Sequence, residues 1–130
     1  MARKHPEEAL MPFKDILRTM VDHVDGAVGA VIMGYDGIAI DDFVSPESSL
    51  DLQLLTAEYA AVLQEVKRTV EVLKSGLLQE ICINTELSIA IARVINEDFF
   101  VLLVIDAGGS FGKGRFYLRR EAPKLAEALQ

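Results

Sequence analysis

The sequence has no tryptophan, one cysteine, two histidines and no long apolar run, and each shortage closes off a class of function. Cys82 alone can make neither an intramolecular disulfide nor a thiolate zinc site, which suits a reducing, cytoplasmic location. His5 and His23 lie far apart, so no histidine cluster has metal-ligand spacing. The longest apolar run, Phe99 to Ile105, is far too short to cross a bilayer, and no membrane insertion is expected. The opening MARKHPEEAL carries charges where a secretory signal needs an apolar stretch. Positive charge is scarce as well. Twenty Asp and Glu stand against 13 Lys and Arg, a net charge of −7 that argues against nucleic acid as a partner. The chain also lacks internal repeats and low-complexity tracts.

What remains is a chain of 130 residues, 51% of them apolar, enough for one domain with a proper core. Its charge is uneven. Residues 1–65 hold 12 acids and 4 bases, whereas residues 66–130 hold 8 acids and 9 bases. An acidic half and a near-neutral half can orient a protein partner, or simply form a solvated surface.

The dominant segment is 51–75, DLQLLTAEYAAVLQEVKRTVEVLKS, which reads as one long helix. Ser48, Ser49 and Asp51 offer N-cap oxygens, Asp51 also suiting the positive end of the dipole, and Gly76 follows the end, where a left-handed residue commonly stops a helix. Leu52, Leu55, Tyr59, Val62, Val66, Val70 and Leu73 recur at helical spacing and predict the core-facing stripe. A second sector, Leu54, Ala57, Ala61 and Val72, falls nearly opposite, bordered by Glu58, Glu65 and Arg68. The domain's own core cannot cover both. Small residues at the helix middle permit close approach of a second helix, and the bordering charges can set its register. The bland alternative is a solvated face, since alanine is a good helix former.

The rest of the chain supplies a sheet. Residues 1–11 read as a flexible tail, and 12–130 as the domain. Residues 13–24 form an amphipathic helix, with Pro12 at its start and Gly26 after it. Residues 27–34 are apolar on both faces and predict a covered strand. Gly34-Tyr35-Asp36-Gly37 predicts a hairpin turn into a second strand ending at Asp41 and Asp42. Residues 77–85 read as a more polar edge strand carrying Glu80, Cys82 and Asn84, and unpaired edges invite pairing. Residues 87–95 alternate large and small side chains, and 99–106 are again apolar throughout. The glycine-rich loop AGGSFGKG leads into a last helix, where Pro123 predicts a break near residue 120. The order α-β-β-α-β-β-β-α predicts a three-layer α/β/α sandwich on a five-stranded, mainly antiparallel sheet, with 27–34 beside 99–106 at its centre.

This arrangement resembles the roadblock/dynein-light-chain family, in particular its bacterial MglB-like branch. The resemblance covers roughly residues 13–129. It rests on GAVGAVIMGYDGIAI after the opening helix, the alanine-rich AEYAAVLQEV in the long helix, LSIAIARV, and FFVLLVIDAGGSFGKGRFYLRREAPKLAEAL. Pro123 and the segment before Phe13 depart from the family pattern. The resemblance implies a non-enzymatic homodimer in which long helices lie side by side and sheets join at an edge. For the MglB-like branch it implies binding of a Ras-like small GTPase and stimulation of its GTP hydrolysis without an inserted arginine finger.

Other chemistry is weaker. AGGSFGKG mimics a phosphate loop, but Ala107 stands for the first glycine and Gly114 for the magnesium-holding hydroxyl. Asp22-His23-Val24-Asp25 lacks a second clustered histidine. Cys82, between Ile81 and Ile83, reads as a packing residue. No cofactor, metal or catalytic residue is expected. Lys113, Arg115, Arg119, Arg120 and Lys124 form a basic group that either is solvated or contacts an acidic protein patch. Three functions follow: a homodimeric GTPase regulator, a dimeric adaptor with no effect on hydrolysis, and a small-molecule sensor.

Overall fold

The computed structural model describes the backbone of residues 6–130 and the side chains from Phe13 onward. Eight elements follow in the expected order: α1 (Pro6–His23), β1 (Ala27–Gly34), β2 (Ala39–Val44), α2 (Leu52–Leu73), β3 (Glu80–Asn84), β4 (Ser88–Val94), β5 (Phe99–Asp106) and α3 (Phe111–Ala128). The strands form one antiparallel sheet in the order β2-β1-β5-β4-β3. The two strands that are apolar on both faces, β1 and β5, lie side by side near its centre, and β3 and β2 are the edges.

Strand alternation divides the interior in two. Ala30, Ile32, Val101, Leu103 and Ile105 point to one side, where α1 supplies Phe13, Leu17 and Met20 and α3 supplies Leu118 and Leu125. Val31, Met33, Phe100, Leu102 and Val104 point to the other, where α2 lies alone. There β4 offers Ala90 and Ala92, small enough for the helix to come close, while Ile89 and Ile91 serve the opposite side.

The turns follow local chemistry. Gly34 N–H donates to the Ile38 carbonyl (3.0 Å), and Gly37 takes φ +87° in the expected hairpin turn. Asp51 caps α2, its Oδ1 accepting from Leu54 N–H at 3.1 Å. Ser110 Oγ caps α3 by accepting from Lys113 N–H at 3.3 Å.

Several expectations need correction. Helix α1 begins at Pro6, so Pro12 lies inside it and residues 6–11 are helical; the expected tail at 1–5 lies outside the described residues. The left-handed cap of α2 is Lys74 (φ +53°), whose N–H reaches the Glu71 carbonyl at 3.1 Å; Gly76 (φ +94°) only follows it. The edge strand is confined to 80–84. Asp41 and Asp42 lie within β2, not at its end; Asp41 pairs with Lys14 at 3.2 Å. Helix α3 passes unbroken through Pro123, which sits on its exposed side, where water can take the carbonyl that proline leaves free.

Candidate functional site

Helix α2 is covered on one side only. Its fully buried residues are Thr56, Ala60 and Leu63, none of which belongs to the stripe read from the sequence. Leu52, Leu55, Tyr59, Val66 and Val70 of that stripe are half-buried, and Val62 and Leu73 are exposed. The core-facing direction is thus rotated toward the residues that fit over the β4 alanines. The sector expected to be in surplus is exposed: Leu54 is 59% and Val72 65% accessible, and Ala57 and Ala61 are open as well. Leu73 (69%) extends it, and Leu77 lies exposed just beyond the helix. Glu58, Glu65 and Arg68 are also exposed. Glu65 and Arg68 hold each other on the same helix, with Arg68 Nη2 at 2.6 Å from Glu65 Oε1. That hydrogen bond and the charge of Arg68 hold the Glu65 carboxyl below its ordinary pKa.

The free edge of β3 adjoins this layer. Ile81 and Ile83 face α2, while Glu80, Cys82 and Asn84 occupy the alternate positions. Cys82 is exposed, and its thiol pKa is pushed up, first by desolvation and then by Glu80, so it is not an activated nucleophile. Glu80 has another role. Its half-buried carboxylate gathers Arg115 Nε at 2.8 Å, Arg93 Nη1 at 3.6 Å and Arg119 Nε at 3.9 Å. Arg93 was missed, although the hairpin register made it readable: Glu80 and Arg93 are direct partners across β3 and β4, equidistant from the turn.

The basic group therefore does not form one patch. Arg115 and Arg119 bind Glu80, and Lys113 Nζ lies 3.8 Å from Asp25. Arg120 stacks over Tyr117 at 4.6 Å, and Lys124 reaches the buried Glu121 at 3.0 Å. The glycines of AGGSFGKG serve packing. A Cβ on Gly109 would lie 2.5 Å from the Asp25 carbonyl, and one on Gly114 2.7 Å from Ile105 Cδ1. The sequence from Phe111 onward is already helix, not loop. His23 Nδ1 pairs with the Thr19 carbonyl oxygen at 2.8 Å. Among the described residues, no three His, Cys, Asp or Glu side chains group as metal ligands, and no helix is long and apolar enough to cross a membrane.

A second feature had no signal in the sequence. A cavity of about 430 Å³ opens between the C-terminal half of α2, residues 76–78 and the turn after β4. Tyr35, Lys67, Glu71 and Asn96 line it together with an apolar wall. The Tyr35 ring packs on Phe100 at 5.0 Å, and the Lys67 ammonium lies 4.5 Å above it. The Tyr35 hydroxyl is buried without a hydrogen-bond partner among the described residues. Burial, and secondarily the charge of Glu71, raises its pKa, so it stays protonated.

Neither a family model nor a curated protein matches the sequence, whereas solved structures do. MglC from Myxococcus xanthus is 39% identical, with 88% of this chain and 97% of that chain covered and a TM-score of 0.66. An MglB solved in a tetrameric arrangement is 18% identical over 98% of this chain and 93% of its own, with a TM-score of 0.80. A Roadblock/LC7 domain from Streptomyces avermitilis is 9% identical over 88% and 94%, with a TM-score of 0.76. The last two show likeness of fold.

Proposed function

The chain belongs to the roadblock/LC7 family, as a relative of MglC, and we propose that it is a homodimeric, non-catalytic regulator of a Ras-like small GTPase. It acts in the cytoplasm, through surfaces and not through chemistry of its own. One observation carries this reading: α2 keeps Leu54, Ala57, Ala61, Val72 and Leu73 exposed beside the open edge of β3. Exposed apolar side chains flanked by a free strand edge are what a second copy can cover. In the dimer, α2 packs on α2 around Ala57 and Ala61, and β3 pairs with β3 through Glu80, Cys82 and Asn84. The tetrameric arrangement of an MglB supports self-association on this fold.

The regulator binds the GTP-loaded form of its partner and speeds hydrolysis by ordering the partner's own active site. In this reading no arginine finger is supplied, and Arg115 is held by Glu80 at 2.8 Å. The test is phosphate release by the small GTPase encoded nearest this chain, with and without the purified protein. Release should rise with wild-type protein and stay at the basal rate with Ala61→Arg. Absence of binding to both the GTP and the GDP forms would refute the reading.

A second reading is an adaptor that self-associates without changing hydrolysis. The exposed α2 sector and the open β3 edge account for self-association without requiring any effect on hydrolysis, which favours it. Binding to the GTPase or to another roadblock protein with unaltered phosphate release would select it.

A further inference from the structure

The cavity lies beside the C-terminal half of α2. At ~100° per residue, Lys67 and Val70 project toward the sheet side of α2, away from Leu54, Ala61 and Val72, and exposed Glu71 lies at the rim between the two sides. Its volume, about 430 Å³, lies within the ~300–1,000 Å³ usual for small-molecule sites. Its wall is apolar over Val70, Leu77, Leu78, Val94 and Ile95. Gly76 borders it with open space where a side chain would be.

The polar end is rich in donors. Tyr35 is nine-tenths buried, at 9% exposure, and its hydroxyl has no partner among the described residues. A buried hydroxyl left unpaired costs stability, and a ligand acceptor at the cavity's polar end would satisfy it. Lys67 donates one N–H to the Glu97 carbonyl and keeps two more. Asn96 Oδ1 already accepts from the amides of Asp98 (2.9 Å) and Phe99 (3.0 Å), which leaves its amide N–H groups for other acceptors. The lining sets Lys67 against Glu71 and Glu97, a net charge of −1 that repels an anion, while the Lys67 ammonium over the Tyr35 ring repels a cation from the donor end.

We propose that this cavity binds a small, uncharged molecule with an apolar body and a carbonyl-type acceptor at one end. The acceptor meets the Tyr35 hydroxyl and Lys67, and the body lies along Val70, Leu77 and Ile95. This assignment does not depend on the GTPase reading.

The test uses three probes of one shape: 4-phenylbutan-2-one, 3-phenylpropanoate and 3-phenylpropylamine, each titrated into the isotopically labelled protein and followed by amide NMR. The ketone should give saturable shifts at Gly76, Leu77, Ile95 and Asn96, and the acid and amine should bind at least about 10-fold more weakly. Tyr35→Phe keeps the ring on Phe100 and removes only the hydroxyl. It should weaken ketone binding about 3–10-fold, the span of one hydrogen bond, without lowering the Tm. Val70→Phe, which fills the cavity, should abolish binding. Shifts that do not saturate, equal binding of the charged probes, or an unchanged ketone affinity in Tyr35→Phe would overturn the assignment. A lower Tm for Tyr35→Phe with unchanged affinity would overturn it too, since the hydroxyl would then serve the fold through a buried water.

Discussion

Ala61→Arg places a guanidinium at the middle of the exposed α2 sector, where two antiparallel copies of the helix would cross. The strength of that crossing follows from what it covers. Leu54, Val72 and Leu73 are 59%, 65% and 69% exposed. At ~1.5–3 kcal/mol for a fully buried aliphatic side chain, covering all three contributes roughly 3–6 kcal/mol per protomer. Two protomers together gain roughly 6–12 kcal/mol, against an association cost of about 4–15 kcal/mol. The helices alone therefore give a marginal dimer, and pairing of β3 edges must add to it. Two arginines facing each other at the crossing would lose hydration and repel, costing ~3 kcal/mol or more, which raises Kd about 100-fold. Sedimentation equilibrium between about 5 and 200 μM should show wild-type dimer and Ala61→Arg monomer, with matching far-ultraviolet circular dichroism. Cys82→Lys, which sets a lysine on the β3 edge, should weaken the dimer independently. A dimer of unchanged Kd in Ala61→Arg would refute the α2 interface, and an unchanged Kd in Cys82→Lys would refute the edge contribution.

Glu80→Gln leaves Arg93, Arg115 and Arg119 crowded around a neutral amide and should cost ~2 kcal/mol, seen as a Tm lower by about 5–10 °C. Gly109→Ala forces a methyl against the Asp25 carbonyl and Ile105, and chemical denaturation should show a loss of ~2 kcal/mol or more; stability equal to wild type would refute the packing role of that glycine. Because burial and Glu71 raise the Tyr35 pKa above its unfolded value, its contribution to stability is complete below about pH 10 and is lost as pH rises through the folded value. Absorbance titration at 295 nm should lose its latest phase in Tyr35→Phe, and retention of that phase would show that another tyrosine is the protected one.

The sheet was legible because β1 and β5 are short runs apolar on both faces, and their length and the glycine and turn residues that bound them mark them as strands where periodicity cannot. The hairpin turn and the Asp51 cap were legible for local reasons, since short-range hydrogen bonds decide them. The orientation of α2 was harder. The helix carries several apolar stripes, and the choice between them depends on Ala90 and Ala92, which lie about 30 residues further along. Leu63, flanked by the small Ala60 and polar Thr56, wins over Val62 because only that side fits the shallow surface. Leu54, Ala57, Ala61 and Val72 are exposed whichever stripe faces the sheet, and their role as an interface is what Ala61→Arg tests. The convergence of Arg115 on Glu80 spans 35 residues and depends on how α3 crosses the sheet, which spacing does not encode. The Tyr35 cavity is assembled from separate segments, and none of them has an unusual composition.

The sheet divides the hydrophobic interior into two compartments that share a backbone but not side chains. Substitutions on opposite sides, such as Leu63→Ala under α2 and Leu118→Ala under α3, should therefore destabilise nearly additively, because no shared cavity or partner couples them. The same separation insulates one surface from the other. A molecule bound under α2 can be felt at α1 and α3 only through displacement of the sheet itself, whose inner strands are buried on both faces. Any message passed from the α2 side is thus best delivered on that side, to whatever lies across α2 and the edge of β3.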